Sequence, residues 1–427
     1  MKFTKMSLVA ALLIGSSAFA LDNTKVSGDA KLFYTTDDAT TGGIGNAVGH
    51  GSNDLFNAGS SAGQAALGLG ITTDLADHIS AGGHVTALTT LGLQGQLVNN
   101  VWEKTNGVDD SWWVDQAWIA ATAGKTTAKV GRMELDTPYV FTEKWSIVEN
   151  TFGAAVLVNQ DIPDTTLVGA YVGQGNGSTY LGLGNNTNGV GGGAAGVIGK
   201  QNANGTTNFA QFFNGAYAAG VINNSWKPLT AQAWYFDATR AATAYWLQAD
   251  LDASSLGVKG LTLGAQYTDL NLYKGLIATS SDQDNDAFAA MIGYSMKDMF
   301  SAKVSYSQTG KNNVSKEGAG MNLAGTSQSK LYTEAWWNYG HVTANDTTSY
   351  NVTVESPVNG LFDLGLYYTN ADQSASAGNK DMSEFTLTAG KSFGALDATL
   401  AYINTNNDAA NNGDAYNTVQ AYLTLNF

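Results

Sequence analysis

Cysteine is absent from the 427 residues, so neither disulfides nor thiolate metal sites are available. Proline occurs only four times. Long hydrophobic runs are missing beyond the first twenty positions, and no later segment approaches the ~20 apolar residues that a bilayer-spanning helix requires. Basic residues are scarce: 21 Lys and Arg stand against 36 Asp and Glu. That balance excludes nucleic acid as a natural partner, because a phosphate backbone calls for a basic surface. The histidines, His50, His78, His84 and His341, show no HExxH spacing, and no G-x-S-x-G elbow occurs. An enzyme could therefore arise only from residues gathered across distant strands, which stays open as an alternative reading.

Residues 1–20 read as a secretory signal peptide. Lys2 and Lys5 form a basic n-region, Ser7 to Ile14 is mostly apolar, and Ala18-Phe19-Ala20 is an A-x-A cleavage signal. The remainder, 21–427, reads as one domain with 19 basic and 36 acidic residues, a formal charge of −17. If the chain lines a pore, that excess of acid favours cations.

What is abundant is alternation. Hydrophobic residues make up 44% of the chain and are spread singly, with 50 glycines and many Tyr, Asn and Thr. In Tyr416 to Phe427, Val419, Ala421, Leu423, Leu425 and Phe427 share one face, opposite Gln420, Tyr422, Thr424 and Asn426. The same period of two recurs at Leu261–Tyr267, Tyr350–Glu355, Phe362–Tyr368 and Leu396–Tyr402. A soluble sandwich would bury such apolar faces against each other. A membrane barrel turns them to lipid and lines a wet lumen with the polar ones.

Eight short turns separate these strands, near 73–78, 123–126, 161–165, 225–229, 253–260, 296–299, 355–360 and 391–395. Pro163, Pro228 and Pro357 sit in them, where a missing N–H costs no ladder bond. Between the hairpins run long polar connections, with one short one near Ala238 to Ala242. Eight hairpins and two terminal strands make eighteen. The run Leu331 to Gly340 extends a strand, forms a short helix or belongs to a loop, so the range is sixteen to eighteen. The expected fold is all-β: a transmembrane antiparallel barrel with short periplasmic turns and long external loops.

The third connection, Met133 to Asn150, carries Glu134, Asp136, Glu143 and Glu149 against Lys144 alone, a net −3. Its Leu135, Tyr139, Val140, Phe141, Trp145 and Ile147 need something to pack on, so the loop is expected to fold into the lumen. There Glu134, Asp136, Glu143 and Lys144 would face Lys129 and Arg132 on the wall, forming a charged constriction. Strict alternation points Arg132 at lipid, at roughly 2–4 kcal/mol near the midplane, so either the strand ends in the interface there or a bulge at Gly131 turns it inward, and the bulge is the expected device. Trp112, Trp113, Trp118, Trp226, Trp234, Tyr235, Trp246, Tyr267, Tyr368 and Tyr402 are candidates for interfacial girdles. Asp282, Asp284 and Asp286 alternate like the start of a calcium loop. They lack its glycine and distal glutamate, so they read as a solvated acidic loop before a weak calcium site. No cofactor is otherwise expected.

Arg132 onward, with Asn150-Thr151-Phe152-Gly153-Ala154 and Asn159-Gln160-Asp161-Ile162-Pro163-Asp164-Thr165-Thr166-Leu167, resembles the OprD-type porin superfamily. The closer resemblance is to the major outer-membrane porins of the epsilonproteobacterial, campylobacter-type lineage. It is strongest over 112–172. It implies an eighteen-stranded, commonly trimeric barrel in the outer membrane, in contact with lipid and lipopolysaccharide, whose third external loop narrows the lumen. Phe427 then resembles the aromatic signal read by the barrel assembly machinery. The implied function is passive diffusion of ions and small hydrophilic solutes, with a weak cation preference. A structural or adhesive surface protein is the other alternative, favoured by a plugged lumen.

Overall fold

The computed structural model describes residues 22–41, 54–102, 110–177, 209–239, 241–273, 283–312, 318–324, 328–378 and 380–427. Residues 1–20, read above as a signal peptide, together with His50, Asp282 and positions 178–207 of the Gly/Asn-rich stretch, lie outside these. Eighteen strands follow one another in a single antiparallel sheet, and the first, Asp22–Asp37, pairs with the last, Tyr416–Asn426. The sheet is therefore a closed barrel without an edge. A nineteenth strand of two residues, Asn100–Val101, lies in a loop and pairs parallel with Ala62 and Gly63.

Every short turn expected from the sequence is present, and the long connections gather at the opposite rim. The run 331–340 is neither strand nor α-helix and belongs to the loop Gly310–Asp346, so the strand count is eighteen. Pro357 falls inside the strand Thr347–Val358, past the last pairing with the preceding strand, Ser301↔Glu355. Its missing N–H leaves that ladder intact.

The period of two sets the two faces. Leu247, Val304, Leu400, Leu423 and Leu425 stand exposed on the outside, while Gln420, Thr386, Thr405, Ser305 and Ser307 are buried on the inside. Closure at the seam uses an aromatic and a glycine. Phe427 and Gly28 exchange two backbone hydrogen bonds, of 2.7 and 2.9 Å. A Cβ on Gly28 would lie 2.5 Å from a Phe427 ring carbon, so the ring covers the bare glycine backbone. Phe427→Ala is expected to reduce the yield of heat-modifiable, membrane-embedded barrel several-fold while secretion continues. Normal insertion would contradict this role for the ring.

Two expectations need correction. Pairing through Gly131 runs without an extra residue on either side. The bulge lies one strand earlier, where Asp115 is the additional residue between the pairs His84↔Gln116 and Val85↔Val114. Gly131 instead adopts φ +130°, and a Cβ there would lie 2.2 Å from the Ala117 carbonyl oxygen. Arg132 donates to the Val114 carbonyl at 2.9 Å and lies 4.1 Å over the Phe209 ring, which packs on the cluster containing Phe33, Trp102, Trp113 and Val148. Its charge thus meets protein.

The girdle assignment also divides. Trp112, Tyr235, Tyr267, Tyr368 and Tyr402 are exposed on the outer face, and Trp226 is exposed in a turn. Trp113, Trp234 and Trp246 are buried, and Trp118 lies over Gly82 beside Lys129. These four face inward. The inner wall is not uniformly polar, because in this sector it receives apolar side chains from the loops.

Candidate functional site: two interlocked loops in the lumen

Loop 3, residues 134–151, folds inward on Tyr139. That side chain is fully buried, edge-on to Phe236 and Trp246 of the wall at 5.5 and 6.0 Å, and hydrogen-bonded to the Thr268 hydroxyl. Burial raises its phenol well above the usual range. The apolar residues singled out in the sequence supply the packing: Leu135, Val140, Phe141 and Ile147 are all buried.

Loop 7, residues 310–346, also enters the barrel, which sequence reasoning missed. Its anchor is Glu384, a buried carboxylate on the inner wall. Glu384 accepts the backbone N–H groups of Trp336, Trp337 and Asn338 at 2.9, 3.0 and 2.7 Å, and the Asn338 side-chain amide at 2.7 Å. Successive N–H groups converging on one anion form a nest, and each bond is charge-assisted. Further wall contacts come from Gln266, which donates to the Lys330 carbonyl and accepts from Tyr332 N, and from Lys303, which donates to the Tyr332 carbonyl at 3.1 Å.

The two loops then hold each other. Leu323 N donates to the Tyr139 carbonyl at 2.9 Å, and Gly320 N to the Tyr139 hydroxyl at 3.1 Å. The Asn322 amide donates to the Phe141 carbonyl and to Glu143 Oε1, at 2.9 and 3.0 Å. Lys330 pairs with Asp136.

These contacts sort the constriction residues expected from the sequence. Glu143 is fully buried and also accepts the Trp145 indole N–H at 2.9 Å, so it is a link between loops and does not face the lumen. Asp136 is exposed beside Lys330. Lys129 lies 4.0 Å over the Trp118 ring on the inner wall. Glu134 and Lys144 pair at 2.5 Å and join a longer array. Asp284 and Asp286 lie on the strand Asp284–Met296, away from this constellation, and among the described residues no three His, Cys, Asp or Glu gather to hold a metal.

Seven charged side chains of the wall and loop 3 form one array. It runs Asp115–His84–Asp29–Lys31–Glu149–Lys144–Glu134, with successive N–O separations of 2.7, 3.7, 3.6, 3.4, 3.8 and 2.5 Å. Apart from Lys144, its side chains are only partly exposed, between 10 and 33%. His84 has a carboxylate on each ring nitrogen. Asp115 hydrogen-bonds Nδ1 at 2.7 Å and Asp29 lies 3.7 Å from Nε2, so a protonated ring links the two carboxylates as an ion pair. Asp29 and Lys31 were not picked out from the sequence. Their signal was present, since they alternate with Ala30 and Leu32 on the first strand and so share its polar face.

No family model and no curated protein matches the sequence. Solved structures do match. The OpdK structure from Pseudomonas aeruginosa with vanillate superimposes with a TM-score of 0.71 at 11% identity, over 95% of this chain and 99% of that one. The fold is that of these outer-membrane porins. A BenF-like porin from Pseudomonas fluorescens gives 0.69 at 12% identity, over 95 and 100% of the two chains. OccAB4 from Acinetobacter baumannii gives 0.66 at 13%, over 96 and 99%.

Proposed function

We propose that this chain is an outer-membrane porin: a water-filled channel through which ions and small hydrophilic solutes diffuse down their gradients. The observation that carries this reading is the closed eighteen-stranded barrel with lipid-suited residues outside and a charged, partly open lumen inside. Passage then needs no cofactor, and the route to the membrane is export behind a cleaved leader followed by barrel assembly at the Phe427 strand. A homotrimer bordered by lipid and lipopolysaccharide, and an origin in the epsilonproteobacterial lineage, extend the reading on the sequence resemblance over 112–172. A purified, refolded protein that inserts into planar bilayers without conducting would defeat it in favour of a surface adhesin.

The lumen is proposed to prefer cations weakly. Four carboxylates of the array, Asp115, Asp29, Glu149 and Glu134, outnumber Lys31, Lys144 and His84. At ~0.15 M salt the Debye length is about 8 Å, so charges in the narrow section outweigh those on the outer surface. Glu134→Gln with Glu149→Gln is expected to abolish the cation preference in zero-current potentials, with a larger shift at low salt than at high. Glu143→Gln should leave the potential near wild type, since that carboxylate lies in the loop contact. If the double substitution leaves the potential unchanged, the array does not line the conducting path.

A further inference from the structure

The lumen opens on the short-turn side into a cavity of about 780 Å³ whose roof is made by the two loops. Ser295, Ser301 and Glu355 place it at that rim, next to the turns 297–299 and 359–361. Two properties of its lining stand out. First, Trp336 of loop 7 is flanked by Tyr367 and Tyr422 of the wall, with ring centroids 6.3 and 6.4 Å away at 40° and 81°. The aromatic faces thus form a bent platform at the cavity wall.

Second, the ionic groups around the cavity are already engaged. Lys303 donates to the Tyr332 carbonyl, and Lys144 belongs to the ion-pair array. Glu355 accepts from the Tyr367 and Ser301 hydroxyls at 2.7 and 3.4 Å. Glu334 accepts the N–H groups of Ser329 and Ala335, at 2.6 and 3.1 Å, and burial raises its carboxyl to about 8. Neutral hydrogen-bonding groups remain. Among the described residues, neither the Trp336 indole N–H nor the Gln328 side-chain amide has a hydrogen-bond partner, whereas Asn351 and Thr353 on the wall behind them are bonded to each other at 3.0 Å and Asn351 to Thr369 at 2.9 Å.

We infer that this vestibule is a binding subsite for neutral saccharides, which stack an apolar ring face on Trp336 and Tyr367 and hydrogen-bond through their hydroxyls to the surrounding amides. The inference rests on the channel reading and assigns it a substrate class. A pyranose combines a flat C–H face with a rim of hydroxyls, which matches an aromatic platform bordered by neutral donors and acceptors. A carboxylate solute would have to compete for Lys303, which donates to the Tyr332 carbonyl at 3.1 Å, because Lys144 is already paired with Glu134 and Glu149. A simple cation would gain little from Glu355 while two hydroxyls occupy it.

Single-channel recording with maltotriose as the probe tests this. Maltotriose is expected to interrupt the current, with faster association when added from the short-turn side. Trp336→Ala should weaken its binding about tenfold, the scale of one aromatic contact, while Trp336→Phe retains most of it. The Glu384 anchor uses the Trp336 backbone and not its side chain, and wild-type protease resistance across 328–346 shows that both variants keep loop 7 in place. Clean conductance without interruption by maltotriose overturns the saccharide site and leaves the channel standing. So does stronger blocking by benzoate that Lys303→Gln removes. Absence of conductance removes the channel reading and the inference with it.

Discussion

Glu384→Ala is expected to raise single-channel conductance several-fold and make it noisy. The substitution leaves three backbone N–H groups of loop 7, those of Trp336, Trp337 and Asn338, without their acceptor. A buried donor left unsatisfied costs about 1–3 kcal/mol. The lower bound for three is ~3 kcal/mol, roughly two powers of ten in the ratio of docked to undocked loop. Water in the lumen can satisfy the released segment, so the barrel should persist while the loop leaves its seat. Glu384→Gln keeps a neutral acceptor and should fall between. Two measurements are informative: open-channel current with its variance, and the rate at which added protease cuts within 328–346. Wild-type current together with wild-type protease resistance would show that Glu384 does not hold the loop.

The second large effect is expected at the other loop. Tyr139→Ala removes a fully buried ring packed on Phe236 and Trp246, a truncation worth about 3–5 kcal/mol for an aromatic side chain. It also deletes the hydroxyl that bonds Thr268 and receives Gly320 N. Tyr139→Phe removes only those hydrogen bonds, about 1 kcal/mol each, and keeps the packing. The alanine variant should therefore conduct more, lose the proposed cation preference as Glu134 and Glu149 leave the wall, and show altered Trp246 fluorescence. The phenylalanine variant should resemble wild type in current. Equal behaviour of the two would place the loop's attachment in hydrogen bonding and not in packing.

The strands were legible because their signal is local. Alternation within Phe362–Gln373 or Leu396–Asn407, which follow the Gly360 and Gly394 turns, needs no knowledge of what lies across the barrel. Loop 3 was legible for a related reason: its run of apolar residues demanded a partner. Loop 7 offered the same clue in Leu331 to Tyr339, where aromatic residues interrupt a polar connection. Its docking, though, depends on Glu384, which lies 46–48 residues away and reads in isolation as one more polar position on a strand. Glu143 was misplaced because charge suggests water, whereas Asn322 and Trp145 supply its hydrogen bonds under cover. The inward Trp234 and Trp246 broke the rule of polar lumen faces for one physical cause, the loops that cover them. At Arg132 the conflict with alternation was visible in sequence. The device that relieves it is the backbone of Gly131 and an open carbonyl at Val114, which pattern alone does not reveal.

The loops' interlock also has a mechanical side. A wide single-layer tube flattens easily, since bending a sheet between neighbouring strands breaks no hydrogen bond. Here loop 3 is fastened to the wall at Phe236, Trp246 and Thr268, loop 7 at Ser307 and Glu384, and the two are joined through Asn322. Together they form a tie-bar across the tube's interior. The cross-section is braced from within, so its bore is set by the length of that brace more than by pressure from outside.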